Sequence, residues 1–337
     1  MTLIDTGFSY TAADPAWQAL ATIGEPVWKS PTSRLMTAEE SQRKRKFSPT
    51  ARVIDDRWIP GYSAAWSKGP FDFLIPRLVQ HGASENTEVN RRIMLEVKKD
   101  ALFADKRNLI EDFDFGAKTA EVFDDMLDRS VPLYTDIQRM MGELATDFAV
   151  AGTSLYDLGC STGTTMVHLD KLLPADMTFI GVDSSPEMLE KAKVKLKQAG
   201  VKRPTELICL DLNNGAPIVN ASVIVMNLTL QFIRPLYRDR VIARLARGLN
   251  DDGSLILVEK VLSQDSTINR LFIKHYYEFK KRNGYSEMEI AQKREALENV
   301  LVPYHFDENR ELLLRNGFRS CDVFFRWYNF CGILAIK

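Results

Sequence analysis

From about residue 154, short apolar runs alternate along the chain with longer runs in which apolar residues recur at helical spacing. The apolar runs predict five buried strands, over 154–158, 177–182, 205–210, 221–226 and 254–259. The amphipathic runs between them predict helices over 164–173, 186–199 and 236–248. Strands that alternate with helices indicate an α/β domain whose parallel sheet is covered by helices on both faces.

The segments on either side of this alternation complete the predicted domain. Helical periodicity before it covers 119–127 and 134–148. After it, the pattern predicts a long helical region over 267–300, a short helix over 308–315 and strands over 322–327 and 330–336. Because only Tyr328-Asn329 separates the last two strands, we expect an antiparallel hairpin at an edge of the sheet. The predicted architecture is Rossmann-like, with a mostly parallel central sheet.

Residues 1–97 differ in composition from the rest of the chain. Four of the five tryptophans lie there, together with seven prolines at 15, 26, 31, 49, 60, 70 and 76. This composition predicts short helices joined by irregular segments, so we place a domain boundary between residues 97 and 98. The run Arg43-Lys44-Arg45-Lys46 is interpreted either as a solvated surface or as a contact with RNA phosphates.

Composition excludes several classes of protein. The 44 basic and 45 acidic residues nearly cancel, which argues against a strongly basic nucleic-acid binder. No apolar run approaches the length needed to span a membrane, so we expect no membrane partner. The four histidines form no zinc pattern, so we expect no metal. The four cysteines are scattered, which favours reduced thiols and a cytoplasmic location.

The most informative stretch is the turn that follows the first predicted strand. Gly159 and Gly163 lie between that strand and the next helix, where the backbone bends sharply and can approach a ligand closely. The helix N-terminus that follows directs N–H groups over the turn. The second strand ends at Asp183, which is placed to accept hydrogen bonds from both hydroxyls of a ribose. The pattern predicts a nucleoside-binding site.

The spacing of the turn favours one class of cofactor. Dinucleotide sites use a third glycine for close helix packing under the pyrophosphate, and this helix has none. Asp157 directly precedes the turn, and an acid there can hold an ammonium group. These features favour S-adenosylmethionine over NAD.

Polar residues also follow the other predicted strands, and the carboxyl ends of parallel strands meet at one edge of a sheet. Asp211 beside Leu212 suits an adenine, because the carboxylate can accept from the exocyclic amino group while the leucine packs on the ring. Asn227 follows the fourth strand. The residues predicted to meet at this edge are Gly159, Cys160, Ser161, Asp183, Ser184, Asp211, Leu212 and Asn227.

Several segments outside the glycine turn match one family, and those from Asn227 onward are not generic to methyltransferases. They are Arg129-Ser130-Val131-Pro132, Asn227-Leu228-Thr229-Leu230-Gln231-Phe232, Asn283-Gly284-Tyr285-Ser286, Gln292-Lys293-Arg294 and Leu297-Glu298-Asn299-Val300. On these segments, residues 98–337 closely resemble the carboxy-S-adenosylmethionine synthases. The resemblance implies a class I methyltransferase fold, usually as a homodimer. It also implies an enzyme of the pathway that modifies the tRNA wobble uridine.

The resemblance further implies a reaction and two more site residues. S-adenosylmethionine and prephenate become carboxy-S-adenosylmethionine and phenylpyruvate, since the sulfonium makes its methyl protons acidic enough for that carbon to capture carbon dioxide. Tyr134 matches a position of the cofactor site. Arg294 matches the family's arginine that holds the new carboxylate, so we expect it to be both cofactor-binding and catalytic. Ser184 stands where the family often has asparagine, and either side chain can form hydrogen bonds.

Two alternatives remain open. The chain could be an ordinary methyltransferase acting on a small molecule or RNA, although the segment from Asn283 to Val300 would then lack a purpose. Typical family members lack residues 1–97, which could bind tRNA or a protein. Within them, residues 66–71 are weakly similar to a segment of the tRNA carboxymethyltransferase, which makes that enzyme a candidate functional partner.

Overall fold

The computed structural model describes residues 98–337. The predicted features of residues 1–97, including the basic run and residues 66–71, lie outside the described residues, and the domain boundary at 97/98 stays a prediction. Within 98–337, no helix combines the length and the apolar character that crossing a membrane would require.

The described residues form helices and strands in nearly the predicted order. The helices are α1 (Ala117–Ser130), α2 (Tyr134–Phe148), α3 (Thr164–Asp170), α4 (Pro186–Gln198), α5 (Pro235–Gly248), α6 (Ser266–Arg282), α7 (Glu287–Leu297) and α8 (Phe306–Arg315). The strands are β1 (Ser154–Leu158), β2 (Thr178–Asp183), β3 (Thr205–Cys209), β4 (Ala221–Asn227), β5 (Leu249–Leu262), β6 (Tyr304–His305), β7 (Ser320–Trp327) and β8 (Phe330–Ile336).

The strands form one sheet with the order β3-β2-β1-β4-β5-β8-β7, and β6 pairs with the end of β5. The pairs β1–β2, β1–β4, β2–β3 and β4–β5 are parallel. Strand β8 runs antiparallel to both β5 and β7, so the predicted C-terminal hairpin lies at the edge of the sheet. The predicted mostly parallel α/β architecture is confirmed.

Two apolar cores lie on the two faces of the sheet, because successive strand residues point to opposite sides. Tyr156 and Leu158 belong to the core that packs under α5 and α8. Leu155 belongs to the core that packs under α2 and α3. Every residue of β4 from Ala221 to Met226 is buried, as expected for the centre of a sheet covered on both faces.

The long helical region predicted over 267–300 is helical but consists of two helices. It divides into α6 and α7 at the segment Asn283–Ser286, where Gly284 has φ +86°. Ser286 then starts α7 with a reciprocal capping box, in which it pairs with Glu289. The helical periodicity of the sequence continues across this turn because α6 and α7 both pack against the rest of the domain. Because the two helices are separate, α6 and α7 can each direct a different set of side chains toward the site.

Candidate active site

The turn after β1 is held against the end of β2 by backbone hydrogen bonds. The amides of Gly159 and Cys160 donate to the carbonyl of Val182 at 2.7 and 3.0 Å. Gly159 has φ +79°, and a Cβ there would overlap the Thr229 side chain. Gly163 has φ +78°, and a Cβ there would lie 3.2 Å from Cβ of Ala192. Both positions therefore require glycine for conformation and for close approach.

Asp183 organises the two loops that meet at this edge. Its Oδ2 accepts from the amide of Ser161 at 2.9 Å, and its Oδ1 accepts from the amide of Ser185 at 2.9 Å. Burial raises the pKa of Asp183, while hydrogen bonds from the amides of Ser185, Ser161 and Ser184 oppose the rise. Each carboxylate oxygen keeps a further lone pair for a ligand hydroxyl.

The third and fourth strands contribute the next polar groups. Asp211 starts a short 3₁₀ turn, Leu212–Asn214, and its Oδ1 accepts from the Asn213 amide at 2.9 Å. Leu212 beside it is buried. Asn227 lines the same cavity, and its Oδ1 is buried without a hydrogen-bond partner among the described residues. An unpaired buried acceptor is costly, so this atom is a candidate ligand contact.

Tyr134 approaches the cavity from the helical layer. Gln138 donates to the Tyr134 hydroxyl at 2.9 Å and to Thr165 Oγ1 at 3.1 Å, which connects α2 with α3. Burial raises the pKa of Tyr134, so the side chain is a neutral phenol. Cys160 is also buried, and burial raises the pKa of its thiol well above the ordinary value. A protonated thiol there lines the cavity rather than acting as a nucleophile.

Asp157 lies behind the turn and does not line the cavity. It is 1% exposed, and its Oδ2 has no hydrogen-bond partner within residues 98–337. Burial, followed by the neighbouring charge of Asp183, raises the pKa of Asp157 to about 7. The expected contact between Asp157 and an ammonium group is therefore not supported by the position of this side chain.

One cavity collects the predicted cofactor residues. Tyr134, Gly159, Cys160, Ser161, Asp183, Ser184, Asp211, Leu212 and Asn227 all line it. Ser184 is exposed at its mouth.

Arg294 is the predicted residue that the structure does not bring into this cavity. It is exposed and lies in a separate groove between α6 and α7, beside Lys274 and Tyr277. Its neighbour Lys293 is 5% exposed and does line the cavity. Successive residues point about 100° apart on a helix, so when Lys293 faces inward, Arg294 faces outward. Within one subunit, the cavity therefore contains Lys293 but not Arg294.

Several other residues that line the cavity were not predicted from the sequence. Phe115 and Phe232, with ring centroids 5.2 Å apart at 90°, line the part next to Leu212. The opposite wall carries Lys260, Lys280 and Lys293 with Tyr276 and Phe330. Lys260 follows the apolar run of β5, so the same rule about strand ends that found Asn227 could have found it. Lys280 and Lys293 lie in charged runs that look like ordinary helix surface.

The residues present fit S-adenosylmethionine. The acid at the end of β2 suits a ribose, the pair Asp211 and Leu212 suits an adenine, and the unpaired Oδ1 of Asn227 can accept from an ammonium group. Among residues 98–337, no three His, Cys, Asp or Glu side chains are grouped so that they could hold a metal ion.

The chain is similar in sequence to known proteins. The family model described as "Methyltransferase domain" matches residues 155–253, which span the glycine turn and β1 to β4. A relative from Methylococcus capsulatus, named "Carboxy-S-adenosyl-L-methionine synthase", is 55% identical over 72% of this chain and 100% of its own length. Relatives with the same name from Desulforapulum autotrophicum and Desulfotalea psychrophila are 44% and 42% identical, over 72% and 71% of this chain and 98% of each relative.

Proposed function

Because the chain belongs to the carboxy-S-adenosyl-L-methionine synthase family, we propose that it attaches the carboxyl group of prephenate to the methyl carbon of S-adenosyl-L-methionine. The products are carboxy-S-adenosyl-L-methionine and phenylpyruvate, and the enzyme is a transferase. The names of the relatives support this reaction rather than ordinary methyl transfer to a small molecule or RNA.

The observation that carries the proposal is the composition of the single cavity described above. The part of the cavity at the carboxyl ends of β1, β2, β3 and β4 holds the residues expected for S-adenosylmethionine. The opposite wall holds the ammonium groups of lysines from β5, α6 and α7. A methyltransferase needs room for an acceptor beside the methyl group. An enzyme that attaches a carboxylate instead needs cations there, because donor and product both carry negative charge.

The reaction balances without a further reactant. S-adenosylmethionine, when bound, supplies a methyl group whose protons the adjacent sulfonium makes acidic. Prephenate loses its ring carboxyl as carbon dioxide and its ring hydroxyl as hydroxide, which leaves the aromatic ring of phenylpyruvate. The hydroxide takes one methyl proton and leaves as water, while the methyl carbon forms a bond to the carbon dioxide. No side chain has to act as the base, because the donor itself provides it.

The chain's own residues position these partners. We assign Asp183 to the ribose, Asp211 and Leu212 to the adenine, and Asn227 to the amino-acid portion of the cofactor. Gly159, Cys160, Ser161 and Ser184 form the surrounding backbone and rim, and Tyr134 closes the site from α2. A carbon dioxide molecule released in water would diffuse away, so a closed site around the methyl group is part of the chemistry.

We further infer that Arg294 acts from a second copy of the chain, in a homodimer. Its planar fork suits a carboxylate, and its exposed position on α7 makes it available to a partner subunit. Helix α6, which forms the other side of the Arg294 groove, also exposes Leu271 at 47% and Ile268 at 44%, apolar area that a dimer would bury. Supplied in this way, Arg294 would hold the new carboxylate of the partner's product.

Mixed dimers test the placement of Arg294. At S-adenosylmethionine concentrations near the Kd of the wild-type chain, Arg294→Ala subunits and Asp183→Asn subunits are each expected to have little activity alone. In a mixed dimer, the Arg294→Ala subunit keeps Asp183 and receives Arg294 from its partner, so one site in two regains activity. If Arg294 acted within its own subunit, the mixed dimer would have no intact site, and the absence of any recovery would reject the arrangement.

We place the enzyme in the cytoplasm, which its four free cysteines support. Its product would supply the tRNA carboxymethyltransferase that acts on the wobble uridine.

Mass spectrometry of the small molecules bound to the purified chain tests the proposed reaction. Incubation with S-adenosylmethionine should give a cofactor heavier by one carboxyl group only when prephenate is present, unless the protein already carries it from the cell. Demethylated cofactor as the main product would instead indicate a methyltransferase.

A further inference from the structure

Three lysines meet in the wall of the cavity opposite the glycine turn. Lys260 comes from the end of β5, Lys280 from α6 and Lys293 from α7. The ammonium nitrogens of Lys260 and Lys280 lie 4.9 and 5.1 Å from the centroid of the same ring, Tyr276. Those of Lys280 and Lys293 lie 5.9 and 5.4 Å from the ring of Tyr285. The two rings therefore connect the three cations into one cluster.

The cluster contains more basic side chains than acidic partners. Lys293 Nζ lies 3.5 Å from Oδ2 of Asp100, which also accepts from the Tyr285 hydroxyl at 2.6 Å. Neither Lys260 nor Lys280 forms a salt bridge with any residue of the described part of the chain. Lys280 is 5% exposed. Buried ammonium groups without a counter-ion are costly, so this wall is incomplete until an anion binds.

We propose that Lys260 and Lys280, assisted by Lys293, form the site that holds the carboxylates of the carboxyl donor beside the methyl group of the cofactor. The proposal rests on the proposed function and names the part of the cavity that the donor occupies. The donor class is a carbocycle that bears one carboxylate on the ring and a second carboxylate on a side chain. Lys260 and Lys280 are positioning residues, since they orient the donor and do not exchange atoms with it.

The walls around the lysines match the rest of such a donor. Phe330 lines the cavity with its ring centroid 5.3 Å from that of Tyr276, at an angle of 66°. This apolar corner can hold the carbocycle, while the ammonium groups at its margin hold the carboxylates. A cation beside a carboxyl group that must leave should not bind that group too tightly. Lysine suits this position because its ammonium group is a single charge on a flexible chain, whereas arginine binds a carboxylate with two parallel hydrogen bonds.

The lysines respond to pH in a way that an anion should reverse. Burial, followed by the charge of Lys293, lowers the pKa of Lys260 to about 8, and burial lowers the pKa of Lys293 to about 8 despite Asp100. The pKa of Lys280 is well below its ordinary value, mainly through burial. The other ionisable groups facing the cluster are Asp100, Asp125, Arg129, Tyr276 and Tyr285. A bound dicarboxylate raises the lysine pKa values, so its binding at pH 8 takes up protons.

Calorimetric titration of prephenate into the full chain tests the proposal. The chain is first saturated with S-adenosylhomocysteine, which has no methyl group, so that prephenate binds without reacting. The apparent enthalpy at pH 8 is compared between Hepes and Tris, whose ionisation enthalpies differ, which gives the number of protons taken up. The variants are Lys260→Met, Lys280→Met, Lys260→Arg and Lys280→Arg, with Lys193→Met on the exposed face of α4 as the matched control.

Wild-type chain and Lys193→Met should bind prephenate equally, with proton uptake. Each cavity methionine variant should lose about ten- to a hundredfold in prephenate affinity while S-adenosylhomocysteine affinity stays within about twofold. Each arginine variant should retain prephenate affinity but take up fewer protons, because arginine does not titrate in this range. This pattern would separate an anion site from a merely structural cluster.

Unchanged prephenate affinity in both methionine variants, or binding by the wild-type chain without proton uptake, would overturn the proposal. If the methionine variants fail to fold, the wild-type proton uptake and the arginine variants decide the question. Failure of the proposed function looks different, since the wild-type chain would then neither bind prephenate nor form carboxylated cofactor.

Discussion

At the scale of single residues, Asp183 combines a structural and a binding role. Each of its oxygens accepts one backbone amide, from Ser161 on the glycine turn and from Ser185 at the start of α4. The carboxylate thereby fixes both loops and still presents lone pairs toward the cavity. An amide side chain cannot do this, because its NH₂ group would face a backbone N–H in either orientation.

We therefore expect Asp183→Asn to weaken S-adenosylmethionine binding by about ten- to a hundredfold, the usual effect of losing a charge-assisted hydrogen bond. Isothermal titration calorimetry measures the change. Asp176→Asn is the matched control, because Asp176 is exposed and lies just before β2, at the opposite end of that strand. Equal affinities for the two variants would show that Asp183 does not contact the cofactor.

At the scale of elements, the connection between β1 and α3 decides the shape of the cofactor site. Gly159 and Gly152 both have positive φ, +79° and +75°, but their surroundings differ. A Cβ at position 152 would meet nothing within 4 Å, whereas one at position 159 would overlap Thr229. Alanine variants at the two positions therefore separate the free-energy cost of a positive φ from the free-energy cost of overlap with a neighbouring side chain.

Gly152→Ala should lower the free energy of unfolding by about 1–2 kcal/mol through backbone strain alone. Gly159→Ala should lower it by about 1–3 kcal/mol more, because Thr229 must move. Only Gly159→Ala should also reduce cofactor affinity, since the displaced turn lines the cavity. Urea unfolding and calorimetry of both variants provide the measurements, and a similar loss of stability in the two would contradict the close-packing argument.

At the scale of the whole molecule, the sheet and the cavity described above are both built from residues 98–337. The relative from Methylococcus capsulatus aligns over 100% of its length with only 72% of this chain. A domain that has its own hydrophobic core can in principle fold alone.

Deletion of residues 1–97 should therefore leave S-adenosylmethionine affinity and carboxylation within about twofold of the full chain. Binding of the wobble-uridine tRNA, measured in parallel, shows whether the deleted segment is a binding module. Unfolding of the shortened chain would instead show that residues 1–97 are needed for the enzyme to fold stably.

Much of the site followed from local sequence patterns. The carboxyl ends of parallel strands lie at one edge of a sheet, so the sequence alone predicted that Asp183, Asp211 and Asn227 lie close together. The helix break at Gly284 was missed because amphipathic periodicity on its two sides is compatible with one continuous helix. Lys260 was missed although it follows the strand predicted over 254–259, since a lysine after an apolar run is usually solvated.

The sequence by itself determined the fold class and the succession of strands and helices along the chain, because these depend on periodicity, and it grouped the predicted cofactor residues through glycines and polar side chains at strand ends. Only the tertiary structure decided which charged side chains of α6 and α7 face the cavity. Lys293 and Arg294 are adjacent in sequence and equally basic, yet one is buried in the site and the other is exposed. Their directions depend on how α7 is rotated against the sheet, and packing between distant segments sets that rotation.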